Sequence, residues 1–338
     1  MDKLTGIAVI GTGYWGKNHV RTYSELVAEG IIDHVKICDI NEKRAQELGK
    51  AFNIEYLTDY KDILSDPDID AVSIVTPSPT HFPLAKEFME AGKDVLVEKP
   101  MTMDYTEAEK LTEIAKSTGQ ILMVGHIFRH HPAVKELKNR IDIGEFGNIR
   151  MMSSNRLSYG APRKDMGVVY ALGIHEVDMF CYLLDVEYPK NVTATTLCSL
   201  QSDIEETAMI TMELGENTTA YAFESWLMPA YGKQRDLVVV GSEKAAKIDY
   251  LKPQELHIYD IRIEETDFDG KTAYSVENEG DYIIPIPYAE PLKEELKNFV
   301  HCIQTRERPL SDGFIGQRAV KMAEAVLESA KTGRKVSF

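Results

Sequence analysis

Two rhythms of apolar and polar positions divide this chain. Up to Val124, short runs that are apolar at nearly every residue alternate with longer stretches whose apolar residues recur at helical spacing. The short runs, Gly6–Ile10 and residues 35–38, 71–75, 95–97 and 121–124, read as strands buried on both faces. The stretches between them, Gly16–Ala28, Glu42–Phe52 and residues 84–91 and 105–117, read as helices. Val20, Tyr23, Leu26 and Val27 mark the packed side of the first helix. Gly92 and Gly119 stand where a left-handed residue closes a helix. Residues 57–64 read as a short connection. Strands and helices in this alternation build βαβ units and a parallel sheet. A first domain of the α/β class therefore covers residues 1–124, leaving 125–338 for a second.

After Gly125 the rhythm changes. Residues 132–140 and 174–184 read as helices and 149–155 as a strand. Then Ala208, Ile210, Met212 and Leu214 alternate with Met209, Thr211 and Glu213, a period of two. Residues 217–226, 237–240, 245–250 and 255–260 continue it, and Glu216-Asn217 suggests a hairpin turn. This predicts an antiparallel or mixed sheet with one face left to solvent or a partner. Residues 264–280 are acidic and polar and read as an exposed excursion. Helices over about 291–304 and 315–332 close the chain, with the option of packing back on the first domain.

Charge narrows the partners. Lys plus Arg number 38 and Asp plus Glu 54, a formal net charge of −16. That argues against nucleic acid and against an anionic membrane surface, but not against a small anionic substrate, which needs only local cations. Cys38, Cys181, Cys198 and Cys302 are scattered, with no Cys-x-x-Cys pair, so neither zinc nor a disulfide framework is implied. Nothing resembles a signal peptide, and no apolar run approaches the roughly 18–20 residues of a membrane span. The expected location is the cytoplasm.

The chemistry sits at strand ends. Gly11-Thr12-Gly13-Tyr14-Trp15-Gly16 follows the first strand and opens the first helix, and Asp39 ends the second strand. In that context Gly-x-Gly-x-x-Gly is a dinucleotide-binding turn. The glycines admit a pyrophosphate, and the helix start offers N–H groups. Asp39 would accept from a ribose diol and repel a 2′-phosphate, favouring NAD over NADP, with Lys43 and Arg44 softening that preference. Thr76-Pro77-Ser78-Pro79-Thr80-His81 ends the next strand; Thr76 and His81 are candidate cofactor contacts, and Ser78 or Thr80 a helix cap. Glu98-Lys99-Pro100 ends the all-apolar strand 95–97. There an ammonium is aimed at the ligand edge of the sheet, and Pro100 fixes the backbone behind it.

In the second domain, His175 and Asp178 share a helix face. A neutral imidazole there can take a proton from an alcohol. Arg129, Arg156, Tyr159, Arg163 and Lys164 form a locally basic, polar set suited to an anionic part of a substrate. His126, His130 and His131 lack a carboxylate at ligand spacing, so no metal site is expected.

With these motifs in this order, the chain resembles the Gfo/Idh/MocA oxidoreductases over essentially its whole length. The carriers are the Gly11 to Gly16 turn, Thr76 to His81, Glu98-Lys99-Pro100, Gly125-His126-x-x-Arg129 and Gly173-x-His175-x-x-Asp178. The resemblance implies a Rossmann domain, then an α+β domain with a large, open, mainly antiparallel sheet, and a homodimer or homotetramer. It implies that Gly11, Gly13, Tyr14, Trp15, Gly16, Asp39, Thr76, His81, Glu98, Lys99 and Pro100 line the cofactor, with the Lys99–Pro100 bond often cis. It makes Lys99 and His175 catalytic, with His175 the acid/base. Arg129, Arg156, Tyr159, Arg163 and Asp178 stay with the substrate.

One departure bears on the substrate. Many sugar and inositol dehydrogenases of that family carry an Asp four residues before this His, where this chain has Ala171. Together with Asn155-Arg156-Leu157 and Ser225-Trp226-Leu227, this resembles the nucleotide-sugar branch, UDP-N-acetylglucosamine and UDP-N-acetylglucosaminuronate 3-dehydrogenases being the nearest types. The alternatives are a free-sugar or inositol dehydrogenase, and a non-catalytic NAD-binding regulator.

Overall fold

The computed structural model describes residues 5–229 and 232–338. They form two compact units, one of residues up to His130 with Glu290–Lys321, the other of His131–Ala289 with Met322–Phe338.

The first unit is built on a six-stranded parallel sheet. Its strands are β1 (Gly6–Ile10), β2 (His34–Cys38), β3 (Glu55–Leu57), β4 (Ala71–Ile74), β5 (Asp94–Val97) and β6 (Leu122–Val124), in the order β3-β2-β1-β4-β5-β6. Every residue of β1, β4, β5 and β6 is buried, as the unbroken apolar runs require. The two-residue period sorts them onto two faces. Ile7, Val9, Leu96 and Met123 pack with Val20, Tyr23 and Leu26 of α1 (Gly16–Ala28). Leu292, Leu296 and Phe299, from a helix late in the chain, complete that cluster. Ala8, Ile10, Val72, Ile74, Val95 and Val97 face the other way, onto Phe88 and Met89 of one helix and Leu111 of the next.

The remaining helices of the first unit are α2 (Glu42–Phe52), α3 (Lys61–Leu64), α4 (His81–Glu90) and α5 (Tyr105–Thr118). Their ends follow side-chain chemistry. The Asn41 side chain accepts from the Arg44 N–H and the Asp104 side chain from the Glu107 N–H, while Gly119 closes α5 at φ +72°. The connection expected over 57–64 contains the last residue of β3 and all of α3. Helix α4 begins at His81, earlier than its apolar spacing suggests, because Pro83 falls in the first turn, where a missing N–H costs nothing. The chain runs outward from β1 to β3 and returns to lay β4 beside β1. That reversal leaves a crevice at the carboxyl ends of β1 and β4, where open α/β sheets take their ligands.

The second unit contains α6 (Pro132–Asp142), α7 (Ile174–Leu183) and a nine-stranded sheet. The strands are β7 (Met151–Leu157), β8 (Asn191–Leu197), β9 (Thr207–Leu214), β10 (Thr218–Ser225), β11 (Gln234–Val240), β12 (Ala245–Asp249), β13 (Glu255–Phe268), β14 (Lys271–Pro285) and β15 (Val336–Ser337). Their order is β14-β13-β12-β11-β7-β10-β9-β8-β15, all antiparallel except the pair β7–β10. Ala208, Ile210, Met212, Ala220, Ala222, Leu237 and Val239 line the buried face, and Met209 and Tyr221 stand exposed on the other.

Two elements differ from expectation. Strand β8 has no counterpart among the expected strands, because Val192 and Ala194 alternate with Thr193 and Thr195 only briefly before Thr196 breaks the period. Residues 264–280 are exposed but not irregular; they are the far half of the β13–β14 hairpin. A ladder without a buried face leaves no apolar alternation to read. Helices α8 (Pro291–Thr305) and α9 (Gly313–Thr332) end the chain, α8 within the first unit and α9 shared between the two. Among the described residues no helix is long and apolar enough to cross a membrane.

Candidate active site

The turn after β1 is shaped by its glycines. Gly11 has φ +94°, and a Cβ there would lie 2.8 Å from the Val75 carbonyl oxygen. A Cβ on Gly16 would lie 2.1 Å from the Gly11 carbonyl oxygen. Both are therefore needed to fold the turn. Gly13 is different: a Cβ there meets nothing within 4 Å. Its freedom keeps the outer side of the turn open, where a pyrophosphate would approach the helix start. No side chain caps α1.

Asp39, at the end of β2, faces this turn. Its Oδ2 accepts from the Thr12 N–H and the Thr12 hydroxyl, each at 2.8 Å, and its Oδ1 accepts from the Asn41 N–H at 2.8 Å. Arg44 Nη1 lies 3.4 Å away. Burial raises the Asp39 pKa, but these donors outweigh it and hold the carboxyl below its ordinary range. The group is a fixed anion at neutral pH. The open Gly13 and this anion fit a nicotinamide dinucleotide, with Asp39 toward a ribose diol.

Lys99 follows β5, and the Lys99–Pro100 peptide is cis. Glu98 does not point to the ligand edge as expected; its side chain is 12% exposed and turned inward. Trp15 Nε1 donates to its Oε1 at 2.7 Å, His19 Nε2 lies 2.9 Å from the same oxygen, and the Lys99 N–H donates to Oε2 at 3.2 Å. His81 is also moved from its expected role. Its ring is 1% exposed, with Nδ1 2.8 Å from the Pro100 carbonyl and Nε2 2.9 Å from the Thr76 carbonyl. It ties the turn after β4 to the turn after β5. Burial lowers its pKa, although the two carbonyls oppose this. The Thr80 hydroxyl donates to the Pro77 carbonyl and lies against the Thr76 hydroxyl, each at 2.7 Å, and does not cap α4. Arg129 is buried in the first unit and donates to the Leu310 carbonyl at 3.2 Å.

In the second unit, His175 is the second residue of α7, and Asp178 follows one turn on; both are buried. A π-turn, Val169–Gly173, precedes the helix. Such turns are frequent at functional sites. Glu205 accepts from the Val169 N–H at 3.0 Å and anchors its start. Ala171, in the place of the carboxylate discussed above, lies inside this turn.

Arg156 is displaced from its expected substrate role. It is 2% exposed, and its Nε donates to Glu176, the residue next to His175. Its guanidinium lies 5.2 Å from the centre of the Tyr250 ring, and His131 packs edge-on against the same ring. Burial and the Arg156 charge push the His131 pKa down to about 4. Tyr159 is 73% exposed, and Arg163 pairs with Asp165 at 2.6 Å on the surface. The structure thus gathers the turn, Asp39 and Lys99 at one sheet edge, while Arg156 and Glu176 brace the helix that carries His175.

The sequence reading missed His19 and Glu295. Each is a polar residue on an otherwise apolar helical stripe, with Val20, Tyr23 and Leu26 around the first and Leu292, Leu296 and Phe299 around the second. That interruption was the available signal.

Comparison with known proteins bears on the family and the fold. A family model described as an oxidoreductase family with an NAD-binding Rossmann fold matches residues 5–126, and its companion, a C-terminal alpha/beta domain, matches residues 138–338. A UDP-N-acetylglucosamine 3-dehydrogenase from Acidithiobacillus ferrooxidans is 30% identical over 93% of this chain and 94% of its own length. A scyllo-inositol 2-dehydrogenase (NAD(+)) from Bacillus subtilis is 26% identical over 100% of this chain and 97% of its own. A solved structure of the Acidithiobacillus ferrooxidans enzyme covers 98% of this chain and 99% of its own, with a TM-score of 0.80 at 27% identity.

Proposed function

Since the chain belongs to the Gfo/Idh/MocA oxidoreductase family, we propose that it is an NAD-dependent dehydrogenase that oxidises the 3-hydroxyl of a UDP-linked N-acetylamino sugar to a ketone. The observation that carries the reading is Lys99, held at the carboxyl end of β5 beside the dinucleotide turn by the Glu98 carboxylate. A bound nicotinamide would supply the acceptor for the hydride that leaves the sugar carbon. His175 takes the hydroxyl proton as general base, and the Lys99 ammonium stabilises the negative charge that develops on oxygen. Gly13 would admit a pyrophosphate and Asp39 would hold a ribose diol, which favours NAD over NADP.

The substrate class is supported by the Acidithiobacillus relative and by Ala171, which removes the carboxylate common in polyol-oxidising members. The exposed sheet face with Met209 and Tyr221 is proposed as the surface through which copies pair into a dimer or tetramer, testable by light scattering. The activity test is NADH absorbance with UDP-N-acetylglucosamine, myo-inositol and glucose in parallel. NADH with the UDP-sugar, lost in Lys99→Met, is the expected result. Turnover with inositol or glucose alone would replace the UDP-sugar, and tight NAD binding without turnover on any sugar would favour a regulator.

A further inference from the structure

The Glu98 carboxylate is turned inward, where other groups of the first unit meet it. It is shared by three segments of the first unit: the dinucleotide turn through Trp15, α1 through His19, and the end of β5 through the Lys99 amide. A fourth segment is fitted to it. Gly125, just past β6, has room for no side chain there, because a Cβ would lie 2.9 Å from the Glu98 carboxyl carbon.

A second carboxyl completes the cluster. Glu295 of α8 is fully buried, and neither of its oxygens has a hydrogen-bond partner among the described residues. Burial and the Glu98 charge raise its pKa well above the ordinary value, so it is a neutral acid. Burial pushes Glu98 the same way, but His19, Trp15 and Lys99 outweigh it and keep Glu98 ionised. Buried ionisable clusters of this kind are costly and concentrate at functional sites.

We propose that Glu98 is the positioning residue for Lys99: its carboxylate ties the Lys99 backbone to the dinucleotide turn and sets a negative charge beside the Lys99 side chain. The proposal rests on the assignment of Lys99 to the reacting oxygen. The titratable groups facing Glu98 are His19 and Tyr23 from α1, His81 from α4, Lys99 itself and Glu295 from α8.

The test uses Glu98→Gln, which keeps an acceptor for Trp15 and removes the charge. Lys99 reactivity is read directly in the NAD-free protein, by competitive acetylation across a pH series and peptide mass spectrometry. The labelling midpoint of Lys99 is expected to move down by about one pH unit in the variant, the size of one neighbouring charge. In turnover, kcat falls about tenfold or more, with its Lys99-dependent limb shifted the same way. The KM for sugar and the NAD dissociation constant stay within about threefold, the shift of well under one kcal/mol that an untouched binding contact would show. An unmoved labelling midpoint would overturn the proposal. Trp15→Phe, which leaves the charge intact, tests the tie itself: kcat falls about fivefold as one buried hydrogen bond is lost, and an unchanged kcat overturns it. Failure of the Lys99 assignment shows up separately, as turnover that survives Lys99→Met, and failure of the dehydrogenase reading as NAD binding without turnover on any sugar; both leave the acetylation result standing.

Discussion

Replacing Arg156 by Met separates two roles for this residue. In the sequence it is a candidate substrate contact; in the structure it is buried, with its Nε on Glu176 and its guanidinium against Tyr250. The second oxygen of Glu176 has no hydrogen-bond partner among the described residues, so Arg156 supplies the hydrogen bond seen at that carboxylate. Removing one member of such a pair leaves a buried charge uncompensated and costs about 3–5 kcal/mol. For a unit of this size, each kcal/mol lowers the melting temperature by about 2–4 °C. Arg156→Met should therefore melt about 6–20 °C below the parent, in the transition assigned to the second unit. Adding Glu176→Gln removes the stranded charge and should recover about 1–3 kcal/mol of that loss as coupling between the two sites. The assay is differential scanning calorimetry of the four proteins, with the KM for sugar measured alongside. A parental melting temperature in Arg156→Met, with only a raised KM, would refute the bracing role and restore the substrate contact.

Other outcomes follow from the same geometry. Gly13→Ala should weaken NAD binding about tenfold by filling the open side of the turn while leaving the melting temperature intact, whereas Gly16→Ala, whose Cβ meets the Gly11 carbonyl, should lower it; titration calorimetry and melting curves read the two. Asp39→Asn should cut the NAD-to-NADP ratio of kcat/KM about tenfold, the worth of one charge-assisted hydrogen bond. Glu295→Gln tests the buried acid through pH. Below the ordinary glutamate value, folded and unfolded forms are both protonated, and the group contributes no pH dependence. As pH rises above that value only the unfolded form ionises, so the parent loses stability at about 1.4 kcal/mol per pH unit until the raised folded pKa is reached. The variant lacks that loss and should gain on the parent as pH rises above the ordinary glutamate value in denaturant melts; parallel curves would refute a neutral buried acid.

Much of the first unit was legible in the chain because its strands are buried on both faces. Gly6–Ile10, Gly16–Ala28 and Glu42–Phe52 have the bounds that their apolar periodicity predicts. Legibility fails where burial does. The distal β13–β14 hairpin has no core face, and β8 is threonine-rich, so neither shows a period. The site divides the same way. Gly13, Asp39 and Lys99 stand at strand ends, which the element order locates. The direction of a side chain is set by its neighbours, and the sequence did not reveal that Glu98 turns in toward His19, or that Arg156 turns in toward Glu176. His81 is a related case: a polar residue after a strand is equally suited to a ligand and to two backbone carbonyls, and here the carbonyls hold it.

The central claim is hydride transfer from a sugar carbon. UDP-N-acetylglucosamine carrying deuterium at C3, incubated with the protein and NAD, tests it most directly. Reduced dinucleotide one mass unit heavier, with the label at the nicotinamide C4, is the predicted result, and Lys99→Met should abolish it. Unlabelled NADH, or label lost to water with no reduced dinucleotide formed, would contradict the account.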